Sequence, residues 1–171
     1  MRIRLSGAAL TMLMVIGLGT VSAFGQQSDS GVDETEWLRQ IQEFKTVNAA
    51  LLAEGADLLD YRKTANPFSP DVRIIDSMLS SMDLVQTYVM STSALLSVTR
   101  LITGAEQKQL AQSYVNVLLE GYSTQIGLEL QRIDLLLSNT RSQAIITAGR
   151  KLKLEIQKSK DLIETRTARA N

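Results

Sequence analysis

The chain has 171 residues, 18 basic and 18 acidic, with neither histidine nor cysteine. That composition excludes imidazole general bases, thiol catalysis, thiolate metal sites and stabilising disulfides. The charge balance gives no reason to expect nucleic acid as a partner.

The amino terminus reads as a targeting segment. Arg2 and Arg4 make a positive start, an apolar run is centred on Ala8 to Leu18, and Val21-Ser22-Ala23 supplies the small residues that signal peptidases accept. The run is shorter than the ~20 residues a spanning helix needs. Residues 1–23 are therefore expected to be a cleaved signal peptide. Cleavage after Ala23 fits best and cleavage after Gly25 nearly as well. The expected localisation is periplasmic or extracellular, with no stable membrane insertion after cleavage. Residues 24–32 are polar and aperiodic, a flexible leader. Residues 33–171 are expected to form a single helical bundle domain.

The first helix is expected to be capped by Asp33 with Glu36 and to end near Arg62. Trp37, Ile41, Phe44, Asn48, Leu51, Gly55 and Leu58 recur at steps of four and three, and Leu38, Leu52 and Leu59 widen the buried stripe. Asn66-Pro67 breaks the chain, and Ser69-Pro70-Asp71 starts the second helix. Its seam is Ile75, Met78, Met82, Val85, Val89, Thr92, Leu96 and Thr99, a heptad pattern. A stop and restart follow at Thr103-Gly104-Ala105-Glu106, with glycine closing one helix and Thr103 with Glu106 capping the next. The third helix carries Val115, Leu119, Tyr122, Ile126, Leu130, Ile133 and Leu137. Ser138-Asn139-Thr140, with Gln143 three residues beyond Thr140 as in a capping box, is a weaker break that lacks both Gly and Pro, and a single rod through it is the alternative. The fourth helix carries Ile145, Gly149, Leu152, Ile156, Ser159 and Ile163.

These patterns predict an all-α fold, an antiparallel up-down-up-down four-helix bundle with coiled-coil-like heptad packing. Residues 26–63 hold 4 basic and 8 acidic side chains, and residues 139–171 hold 8 basic and 3 acidic. That opposition suits a first and last helix packed side by side.

No phosphate loop or nucleophile motif occurs, so the chain is expected to be no enzyme and to carry no cofactor. Asp71, Asp76 and Asp83 are spread along one helix and read as a solvated face. Met78 and Met82 share a face, the spacing of a thioether pair for Cu(I), but they also fit the seam as filler. Tyr88, Tyr114 and Tyr122 are expected to be half buried, with an apolar ligand pocket as the alternative. Gly121, Gly127 and Gly149 mark close helix approach or a gap held for a ligand.

Residues 84–99, LVQTYVMSTSALLSVT, carry no charge. In a hairpin turning at Gly104 they oppose about residues 109–124, where Glu120 is the one charge. The outward positions of the second helix there are Thr87, Ser91, Ala94 and Ser97, which form a candidate interface suited to close packing. The function expected is therefore an exported, non-catalytic interaction, scaffolding or accessory protein of the bacterial envelope, with a protein partner or a homo-oligomer through this hairpin. The alternative is a carrier of an apolar small molecule held between the helices.

Overall fold

The computed structural model describes residues 30–170. The expected signal peptide and residues 24–29 of the leader lie outside the described residues. The described chain is all-helical, with four long helices and no strand: α1 (Ser30–Thr64), α2 (Pro70–Arg100), α3 (Ala105–Ser138) and α4 (Gln143–Ala170). Helix α1 already runs at Ser30, so its first turn precedes Asp33, the expected cap.

The cap of α2 follows its sequence. The Ser69 hydroxyl accepts from the Asp71 amide at 3.0 Å, with Pro70 in the first turn. The other two turns are built differently from expectation. Helix α2 stops at Arg100, and the N-cap of α3 is Gly104 itself, at φ −74° and ψ 127°. No side chain caps α3 there, so the Thr103 and Glu106 box does not form. Gly104 is also not left-handed. A Cβ at this position would meet only the end of the exposed Gln107 side chain, which can swing aside. Helices α3 and α4 are separate. Ser142, two residues after Thr140, takes the capping role: its carbonyl accepts from Ile146 at 3.0 Å and its hydroxyl lies 3.5 Å from the Ile145 amide. Thr140 instead braces the turn, accepting from the Ser142 amide and donating to Asp71 of α2 at 2.9 Å.

All eight seam positions of α2, from Ile75 to Thr99, are buried. The seams of α1, α3 and α4 are buried as well, apart from the partly buried Asn48, Tyr122 and Leu137. Leu38, Leu52 and Leu59 differ: they lie 43–50% exposed, outside the core they were expected to widen.

Each helix touches its neighbours through named pairs. Arg62 of α1 pairs with Asp76 of α2, and Gly55 of α1 lies under Met82 of α2. Between α2 and α3, Ser81 donates to Glu129, and the rings of Tyr88 and Tyr122 stack at 4.7 Å. Between α3 and α4, Ser123 donates to Glu164 at 2.7 Å and Lys153 to Asp134 at 2.6 Å. Helices α1 and α4 meet where Lys151 lies 3.6 Å from Asp57 and the Arg166 guanidinium sits 4.8 Å over the Trp37 ring. Glu36 and Glu43 pair within their own helix, with Arg39.

Candidate interaction surface

Along α2 the buried face changes character. Ile75, Met78, Met82 and Val85 line its first part. Beyond Tyr88, the threonines Thr92 and Thr99 alternate inside with Val89 and Leu96. Both hydroxyls donate back to their own helix, to Tyr88 and Leu95 carbonyls at 2.8 Å, which removes the penalty of burying them unpaired. Outside, the same stretch shows Met90, Val98 and Leu101, at 56%, 44% and 71% exposure.

The four residues expected to face outward divide into two pairs. Thr87 and Ala94 are exposed, while Ser91 and Ser97 are half buried. Thr87 and Ser97 also satisfy their hydroxyls on the Asp83 and Ser93 carbonyls. The exposed edge therefore runs through Thr87, Met90, Ala94, Val98 and Leu101. It is more apolar than the small, neutral strip read from the sequence.

Helix α3 carries the larger surprise. Leu110, Tyr114, Val117, Gly121, Thr124, Leu128, Gln131 and Leu135 are all exposed, and their steps alternate four and three along the helix. This is a second heptad seam. It lies two residues, about 200°, from the core positions Val115, Leu119, Tyr122, Ile126 and Ile133, on the opposite face. Its signal is present in the sequence, masked because the core seam alone accounts for a helix. An amphipathic bundle helix needs one apolar stripe for its core, and α3 carries a second one open to water.

The glycines separate along the same line. Gly149 sits against Met78 and Leu137, Gly55 against Met82, and Gly127 has ordinary contact with Lys160. Around Gly121 there is open space. Gly121 therefore serves no close approach inside the bundle. The sulfurs of Met78 and Met82 fill gaps over glycines of two different helices, α4 and α1, so packing explains both. Tyr88 and Tyr122 stack on one another between α2 and α3, and burial pushes the Tyr88 hydroxyl above its ordinary pKa. Tyr114 is 62% exposed.

Two of the three aspartates of α2, Asp76 and Asp83, keep well-exposed side chains, and Asp71 is half buried. Asp71 accepts from Thr140 and Asp76 pairs with Arg62. Among the described residues, no group of three or more carboxylates is placed to hold a metal ion. None of their helices is long and apolar enough to cross a membrane. An open groove of about 550 Å³ runs between α1 and α4, floored by Val47 and Leu162 and rimmed by Arg39, Glu43, Lys158 and Asp161. Its mixed charge and open shape give no oriented constellation for chemistry. No family model, curated protein or solved structure matches the chain.

Proposed function

We propose that this protein is an exported, non-catalytic helical bundle of the bacterial envelope that works by binding protein, as a scaffold or accessory subunit. The observation that carries the reading is the set of exposed apolar side chains on the outside of α2 and α3: Met90 and Val98 on one helix, Leu101 just past its end, and Leu110, Tyr114 and Val117 on the next. Large apolar side chains open to water in a row along a helix are a feature of protein-binding surfaces. The bundle is read as antiparallel, up-down-up-down. Supporting this, the α2 partner of Gly55 is Met82 and that of Arg62 is Asp76, so numbers fall on one helix as they rise on the other. Tyr88 with Tyr122 and Ser81 with Glu129 follow the same rule. Export through residues 1–23 and the absence of imidazole and thiol chemistry complete the proposal.

The test is a cross-linked pull-down from the protein's own host, using the native chain and Val98→Glu. Captured proteins lost with Val98→Glu support the reading, and an unchanged set sinks it. Native mass spectrometry of the same preparation favours a carrier if a small molecule stays bound. The mass of the purified chain reports whether it begins at Phe24 or Gln26.

A further inference from the structure

We propose that the outer seam of α3 pairs with the same seam of a second copy, antiparallel, about a two-fold axis between Tyr122 and Ser123. This rests on the reading of the α2–α3 face as an interface and names its occupant. The seam matches itself when reversed. Leu110 meets the second copy's Leu135, Val117 meets Leu128, and Tyr114 meets Gln131, whose amide can bond the phenol. Gly121 meets Thr124 at the crossing point. The smallest side chains thus fall where the helix axes come nearest, and the large ones fall toward the ends. A two-fold interface requires this self-complementarity.

Gly121 supplies an independent reason. A glycine inside a helix costs ~1 kcal/mol against alanine. Nothing in the bundle occupies the space beside it, so the bundle alone does not require it. Close approach of a second helix does. The flanking residues agree. In the reversed pairing Glu120 faces Gly127, Asp134 faces Ser113, and Arg132 faces Ala111, so no like charges oppose. The strip from Leu110 to Leu135 is ~38 Å long and one helix wide, ~400 Å² in footprint. That is near half of the ~800 Å² per partner of a standard interface. The dimer is accordingly one that dissociates on dilution.

The chain has no cysteine, which makes cross-linking clean. The variant Val117→Cys with Leu128→Cys is expected to form a covalent dimer on mild oxidation. The two positions are ~16 Å apart along one helix, too far for a bond within a chain. Leu128→Cys alone is expected to stay uncross-linked. Light scattering of the native chain is expected to show dimer at ~100 μM and monomer well below ~1 μM. Gly121→Ala is expected to weaken the dimer tenfold or more while raising the melting temperature of the dilute monomer. Circular dichroism confirms that each variant folds. Monomer at every concentration overturns the pairing, and cross-linking by Leu128→Cys alone overturns its direction. If the chain stays monomeric yet Val98→Glu still loses a captured protein, this inference fails and the proposed function stands.

Discussion

Met78 of α2 rests its sulfur on Gly149 of α4: a Cβ on that glycine would lie 3.0 Å from the sulfur and 2.7 Å from a methyl of Leu137. Both neighbours belong to the core, and Met78 is fully buried. Gly149→Ala gains helix propensity but overpacks the site, and the usual overpacking cost of ~1–3 kcal/mol wins over the ~1 kcal/mol gain. A net loss of stability is expected in urea denaturation. Met78→Ala, which empties the same place, is expected to cost ~2–5 kcal/mol.

Ser69 starts α2 by accepting from the Asp71 amide at 3.0 Å. Ser69→Ala is expected to destabilise by ~1 kcal/mol, and Ser69→Asp to restore most of it. Thermal melts of the three proteins check both statements.

Asn48 sits in the core seam of α1 with its side-chain oxygen buried and unpaired by the protein. An unpaired buried acceptor costs ~1–3 kcal/mol. Asn48→Leu is expected to raise the urea midpoint. A lone seam asparagine also disfavours alternative registers, so the variant is expected to lose some spectral dispersion in its amide NMR spectrum as packing becomes less unique.

Glu164 predicts an acid-sensitive contact between α3 and α4. The Lys160 ammonium first, and then the Ser123 hydroxyl, hold its carboxyl below the ordinary value of 4.5. A carboxyl depressed by folding adds stability above its unfolded pKa and loses it as pH falls through the folded one. Native protein is therefore expected to be more stable than Glu164→Gln at pH 7, with the gap closing below about pH 4. A pH-independent difference would show that the contact acts by packing alone.

The core of this protein is legible in its sequence because heptad spacing and burial report the same geometry. Ile75 through Thr99 shows this best, since even the two threonines take seam positions and bury. The turns are less legible. Thr103 and Glu106 have the spacing of a cap, yet the N-cap falls one residue later, at Gly104, with no side chain capping the helix there. The outer surface is legible only in part. Counting charges marks residues 84–99, but neutrality does not determine exposure, and which apolar residues stay open, such as Met90, Val98 and the α3 seam, shows only in the structure. Leu38, Leu52 and Leu59 show the converse, apolar residues beside the core stripe that lie 43–50% exposed.

The threonines inside the second half of α2 also bear on how the molecule breathes. Opening that stretch uncovers less apolar surface than opening the part built on Ile75, Met78 and Met82. Amide protons from Val89 to Thr99 are therefore expected to exchange with deuterium ahead of those from Ile75 to Val85. Covering Met90, Val98 and Leu101 from outside then slows exchange most in the segment that the interior holds least firmly, so hydrogen exchange maps the covered surface without knowledge of what covers it.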